Sequence, residues 1–303
     1  VDVGQLIVTA VYVDGFTVTD YAFLHGGCDE STGCCHDGRY AHMYAYNFNT
    51  PYGMRVCDRL ASVSGTVVDF YGYTELNFPS WEMFDNDPST PELDLMRLPP
   101  SQLTPELCPV EAHVITDYEL LSSTVMESWE AGLVEVRDGE LPPVEDWVLC
   151  DLNGDFEVAY KEDMDVCVPE SEANVPDEYC PTRGEGICCE LDCNDTCNLR
   201  MCAEIMNYRS YGQYPLRIGS ARVLLDTTNV PEFNPRDLVR AGQIGITRLS
   251  GILRTFAPLD FPWIIKPRCR QDIYLAGDDR YPDVPIHQRC VPSEETGDYE
   301  DPY

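Results

Sequence analysis

The segment Asp151-Leu-Asn-Gly-Asp-Phe-Glu-Val-Ala-Tyr-Lys-Glu162 carries the sharpest chemical pattern in the chain. Asp151, Asn153, Asp155, Glu157 and Glu162 stand at loop positions 1, 3, 5, 7 and 12, with apolar Val158 at position 8. Hard oxygens at that spacing can surround Ca²⁺ at about 2.3–2.6 Å. Phe156 fills position 6, where calcium loops place a glycine, and Gly154 comes two residues early. The competing reading is an acidic hairpin whose Phe156 and Val158 face a core. Calcium is the one cofactor the sequence suggests.

Sulfur is the second chemistry. The 15 cysteines are Cys28, Cys34, Cys35, Cys57, Cys108, Cys150, Cys167, Cys180, Cys188, Cys189, Cys193, Cys197, Cys202, Cys269 and Cys290. Cys188, Cys189, Cys193, Cys197 and Cys202 partly match the Cys-x2–4-Cys spacing of thiolate metal knuckles. Disulfides are the alternative, and that many cysteines point to an oxidising, extracellular or cell-surface setting. All fifteen are therefore disulfide candidates. Their connectivity is open, and the odd count leaves one thiol free or bonded to another chain.

Catalytic patterns are missing. His25, His36, His42, His113 and His287 are scattered, with no HExxH pair. His42 sits among aromatics and reads as a packed, hydrogen-bonded residue. No Gly-x-Ser-x-Gly elbow, phosphate-binding loop or dinucleotide fingerprint appears. Carboxylate pairs carry no information among 53 acidic side chains. The sequence supports a protein that binds or assembles rather than an enzyme.

Composition sets the elements that must position these groups. A hydrophobic fraction of 44% with 11% aromatics is enough for a folded core despite the acidity. With 18 Tyr, abundant Val, Ile and Thr, and 23 Pro and 21 Gly cutting the chain into short pieces, the expectation is an all-β protein. The net charge of −33 repels phosphate backbones and anionic lipid, so nucleic acid is an unexpected partner. The expected partners are further copies of the chain or other surface proteins. No run reaches the roughly 18 apolar residues of a membrane span. The chain begins without Met or signal peptide and reads as a mature, processed product.

Along the chain, residues 6–13 and 16–20 flank Asp14-Gly15 as strand, turn, strand. The apolar run at residues 1–13 reads either as the first strand of its own barrel or as a donor strand for a neighbour's sheet edge. Residues 79–110 are rich in Pro, Asp and Ser and read as a surface excursion. Eight cysteines fall between Cys150 and Cys202, which reads as a disulfide-rich insertion at about 150–208. Residues 293–303 form an acidic tail. One echo links the two halves: Val63-Ser-Gly-Thr-Val-Val-Asp-Phe70 aligns with Leu249-Ser-Gly-Ile-Leu-Arg-Thr-Phe256. A glycine inside each suits a barrel corner, and the echo reads as a duplicated unit or as chance.

Phe16-Thr-Val-Thr-Asp20, residues 57–76 with SGTVVDFYGYTEL at their centre, Glu127-Ser-Trp-Glu-Ala-Gly-Leu-Val-Glu-Val136, residues 242–256 and residues 263–273 together carry a resemblance. The chain resembles the OB-fold modules of bacterial extracellular nucleases of the endonuclease/exonuclease/phosphatase type and of related surface lipoproteins. With the segments between them these stretches cover about half the chain. The resemblance implies two OB-like Greek-key barrels, at residues 1–125 and 126–292, with the cysteine-rich insertion in the second. No catalytic nuclease domain follows in this sequence, so the resemblance implies architecture and not activity. The functional expectation is a non-enzymatic extracellular structural or adhesive surface protein, self-assembling as a filament subunit and calcium-binding. The alternative is a ligand-binding accessory module for sugar, peptide or nucleic acid in an exported enzyme system such as a nuclease.

Overall fold

The computed structural model describes residues 6–21, 27–29, 34–36, 38–84, 100–141, 212–235, 238, 241–256, 263–278, 280–281 and 283–291. These form an all-β protein. The first half contributes β1 (Leu6–Tyr12), β2 (Gly15–Asp20), β3 (Gly27–Asp29), β4 (Cys34–His36), β5 (His42–Tyr46), β6 (Arg59–Phe70) and β7 (Tyr73–Met83). β1, β2, β5, β7 and β6 close into a barrel in that spatial order, while β3 and β4 pair apart as a two-stranded hairpin. β5 and β7 run parallel and the other barrel pairs are antiparallel.

The second half contributes β8 (His113–Val114), α1 (Asp117–Leu120), α2 (Ser123–Ser128), β9 (Leu133–Glu140), β10 (Gln213–Ile218), β11 (Ala221–Asp226), β12 (Gly245–Thr255), β13 (Trp263–Lys266) and β14 (Ile273–Tyr274). β8 is the first strand of the second sheet, so the passage between sheets falls between Met83 and His113. Within that sheet β9, β10, β11, β13 and β12 follow one another, and a β12–β9 pairing returns the last strand to the first. Again the third and fifth strands are parallel. Both halves therefore share one Greek-key order, first-second-third-fifth-fourth, which is the OB-like arrangement. The echoing segments at 63–70 and 249–256 lie in the fourth strand of each, β6 and β12.

Burial explains the local sequence. β1 reads Leu-Ile-Val-Thr-Ala-Val-Tyr without apolar-polar alternation because both its faces are covered. Val8 points into the barrel with Phe16, Val18, Ala45, Leu60 and Leu76. Ile7, Ala10 and Tyr12 pack outward with Tyr44 and Tyr73 against Leu133 and Ile252 of the second barrel. Residues 6–12 thus serve as a strand of their own barrel. The turn falls on Val13-Asp14, one residue earlier than the Asp-Gly pair suggests, because Tyr12 opposes Gly15. Gly15 is needed inside the strand instead: a Cβ there would stand 2.2 Å from the Ala45 carbonyl oxygen of β5.

Polar bonds lock the two barrels together. Arg268 forks onto buried Asp272 at 2.8 and 2.9 Å and donates through Nη1 to the Thr9 carbonyl at 3.3 Å. Tyr12 donates its hydroxyl to the Lys266 carbonyl at 3.1 Å. Among the described residues two disulfides form, Cys57–Cys108 and Cys269–Cys290. The first is buried in the inter-barrel core. Cys28 and Cys35 are cross-strand partners in the β3–β4 register, next to Cys34; only their backbone is described. The other eight cysteines lie outside the described residues, as do the insertion at about 150–208 and the tail at 293–303. No helix among the described residues is long and apolar enough to cross a membrane.

Candidate functional site

The β6–β7 hairpin is where the two barrels differ. In the second barrel the outer side of β12 is covered by β9 from Gly245↔Glu140 to Ile252↔Leu133, seven residue pairs. In the first barrel the matching contact between β1 and β6 has two, Leu6↔Leu60 and Ile7↔Arg59. β6 then continues from Ala61 to Phe70, paired on one side to β7 and, among the described residues, to no strand on the other. Its side chains are largely open: Val67 is 64% exposed and Phe70 49%. Residues 60–68, Leu-Ala-Ser-Val-Ser-Gly-Thr-Val-Val, contain no ionisable side chain.

The hairpin is held at both ends. At its base the Phe84 amide donates to the Arg59 carbonyl. At its tip the Thr74 amide donates to Glu130 Oε2 at 3.1 Å, and Tyr71 meets Phe256 edge-on at 5.2 Å. Gly65 permits the close packing of β6 on β7, since a Cβ there would lie 2.7 Å from Leu76 Cγ and 2.8 Å from the Asn77 carbonyl oxygen.

Beside the hairpin an aromatic ribbon runs from the interior to the surface. Tyr73 and Tyr44 are buried, with centroids 5.6 Å apart; Tyr44 leads to Tyr46 at 6.4 Å, Tyr46 to Phe48 at 4.4 Å, and Phe48 to Phe78 at 5.2 Å. Phe78, at the outer end, is 73% exposed. Arg254 of β12 lies over both Tyr44 and Tyr73, at 5.5 and 5.1 Å from the ring centres. Burial opposes the Arg254 charge, but Tyr73, Tyr44, Asp226 and Asp14 outweigh it and its pKa stands above the ordinary value. Burial also raises the phenol pKa of both tyrosines, so they are neutral donors at any physiological pH. Lys266 sits 4.6 Å over the Tyr12 ring, and burial lowers its pKa.

His42 occupies a third junction. Its Nδ1 is 2.8 Å from Thr19 Oγ1, and Trp129 lies between it and His113, which stacks on the indole at 3.8 Å. Burial, then the charge of His113, lowers the His42 pKa from 6.5 to about 4 against the opposing pull of the Gly38 carbonyl. The hydroxyl–imidazole pair resembles a nucleophile and its base, but Thr19 is buried, 4% exposed. His42 is the packed, hydrogen-bonded residue that its aromatic surroundings suggest.

The calcium loop Asp151, Asn153, Asp155, Glu157 and Glu162 lies outside the described residues. Among the described residues no group of three or more His, Cys, Asp or Glu side chains is arranged to hold a metal ion. A cleft of about 480 Å³ at the end of the second barrel presents Asp138 and Glu140. Glu140 is bonded to Arg217 of β10. Sequence reasoning missed Arg254 and Lys266. Compared with models of protein families, with characterised proteins and with solved structures, the chain matches none.

Proposed function

We propose that this is a non-enzymatic extracellular structural protein that acts by associating with copies of itself and with other surface proteins. The observation that carries the reading is the uncharged stretch 60–68 of β6, exposed at Val67 and, among the described residues, beside no strand but β7 beyond Leu60, on a chain of net charge −33. An exposed strand side with apolar residues is a ready template for further strands. Disulfides support an oxidising location. Among the described residues four basic side chains, Lys266, Arg268, Arg270 and Arg289, and six acidic ones, Asp58, Glu75, Glu130, Glu135, Asp226 and Asp272, are buried, so the acidic excess of the chain stays on the solvent face and disfavours nucleic acid. Filament growth and calcium binding by Asp151, Asn153, Asp155, Glu157 and Glu162 belong to the same reading.

The test is sedimentation velocity and electron microscopy of the full oxidised chain, with and without Ca²⁺. Concentration-dependent assemblies are expected; a monodisperse monomer throughout would overturn the reading. Calorimetry with Ca²⁺ should give heat that Asp151→Ala removes.

A second reading is favoured by the Tyr46–Phe48–Phe78 ribbon: a ligand-binding accessory module whose rings stack on a neutral sugar or on a peptide. Titration with neutral oligosaccharides, with Phe48→Ala and Phe78→Ala as controls, separates it from the first.

A further inference from the structure

We infer that the polar junction between the barrels, lined by Asp14, Tyr44, Tyr73, Asn77, Arg254 and Lys266, binds one end of a neutral saccharide whose further units run out over Phe48 and Phe78. This rests on the accessory-module reading and adds the ligand class and the residues that hold it. Backbone register brings the groups together. Gly15, Tyr46 and Asn77 form one row across β2, β5 and β7, and Thr17, Tyr44 and Glu75 form the next. Opposed residues share a face, and Tyr73 stands two before Glu75, so Tyr44, Tyr46, Tyr73, Glu75 and Asn77 point to one side of the first barrel. In the second barrel Ile252 opposes Lys266 on the face that packs against this side, and Arg254 stands two beyond Ile252. Asp14 enters from the β1–β2 turn: burial raises the pKa of both phenols, and the nearby Asp14 charge adds to the effect.

Three observations carry the inference. First, Tyr44 Oη, Tyr73 Oη, Asp14 Oδ1 and Asn77 Oδ1 are buried without a hydrogen-bond partner among the described residues, and the two tyrosines are only 2% and 1% exposed. Orphaned buried polar atoms are costly and rare, so four in one neighbourhood mark a place where a polar guest completes the bonding. Second, the charges around them are of both signs. Burial disfavours the charges on Arg254 and Lys266, while the carboxylates of Asp226 and Asp14 favour them. An anion is also repelled by the net charge of −33. A neutral guest whose hydroxyls both donate and accept answers phenols and carboxylate alike. Third, the ring ribbon leads from Tyr73 and Tyr44 to the surface. Phe48 and Phe78, at its outer end, hold φ of 62° and 52°, which aromatic residues adopt only at a cost, and their ring centres stand 5.2 Å apart. The C–H faces of a pyranose stack on such rings while the hydroxyls on its rim reach the orphaned atoms.

The test is isothermal titration of the full oxidised chain with neutral tetrasaccharides of glucose, mannose, galactose and N-acetylglucosamine, and with an uncharged, capped peptide. The native chain should bind at least one saccharide. Tyr44→Phe and Tyr73→Phe each remove one orphaned hydroxyl, and each should weaken that binding about tenfold. Because neither hydroxyl is bonded in the free protein, urea denaturation should find both variants at least as stable as the native chain. A saccharide that either variant binds as tightly as the native chain overturns the inference and leaves the accessory-module reading resting on Phe48 and Phe78; binding of the peptide alone does the same. A loss of stability in either variant shows its hydroxyl bonded within the fold and overturns the inference too. If neither saccharide nor peptide binds, the inference and the accessory-module reading fall together.

Discussion

Glu130 holds the hairpin tip with one carboxylate oxygen on the Thr74 amide, while its Oε1 is buried without a hydrogen bond. Burial, reinforced by the charges of Glu127 and Asp69 and opposed by the Thr74 amide, pushes its pKa up to about 7. A carboxyl group whose folded pKa is raised favours the fold when protonated. That contribution is complete below about pH 4.5 and is lost as pH rises through about 7. Glu130→Gln keeps an acceptor for Thr74 and removes the charge. The variant should exceed the native protein in stability by roughly 1–2 kcal/mol near pH 8 and by nothing near pH 5. Urea denaturation at the two pH values checks this, and an equal difference at both would refute it. His42 has the opposite sign, because its neutral form belongs to the fold: its contribution is complete above about pH 6.5 and fades as pH falls through about 4. Each comparison is therefore made between variant and native protein at one pH, where His42 cancels.

Elements in this chain are bounded by close backbone approaches as much as by turns. At Gly251 an added Cβ would stand 2.5 Å from the Lys266 carbonyl oxygen, an atom of the backbone that cannot swing away. At Gly245, in the same strand, the space is open. Gly251→Ala should cost about 1–3 kcal/mol or more, whereas Gly245→Ala should change stability by less than about 1 kcal/mol; thermal unfolding of the pair checks both. The strand character of residues 6–20 and the echo at 63–70 and 249–256 were legible in the sequence, because β-rich runs and internal glycines record local geometry. The turn at Val13-Asp14 was read one residue late, since the glycine serves contact with Ala45 and not the turn. Arg254 over Tyr44 and Tyr73, and the forked Arg268–Asp272 pair, were not legible. Each depends on which strands meet across two barrels, and no short stretch of sequence encodes that.

For the whole molecule, the inter-barrel core and the Arg268–Thr9 and Tyr12–Lys266 bonds join the two barrels, and the Cys57–Cys108 disulfide lies in that core. Cys57–Cys108 closes a separation of 51 residues and Cys269–Cys290 one of 21. Chain-entropy reasoning gives about 4 kcal/mol for the longer loop and about 3 kcal/mol for the shorter. Replacing Cys57 and Cys108 by Ala should therefore destabilise more than replacing Cys269 and Cys290, and the first change also removes sulfur from the core between the barrels. Guanidinium denaturation of the two double variants, under oxidising conditions, measures the order.

Leu141 and Gly212 are the last and first described residues around the cysteine-rich segment, and both are anchored in the second barrel. The Leu141 amide donates to the Ile244 carbonyl, and the Gly212 carbonyl accepts from the Thr227 amide and hydroxyl. The seven pairs of β9 with β12 and the six of β10 with β11 are all made by residues outside 142–211. A lineage can therefore lengthen, shorten or rewrite residues 142–211 without re-registering a single rung of the barrel, because the entropic penalty of closing a loop grows only with the logarithm of its length.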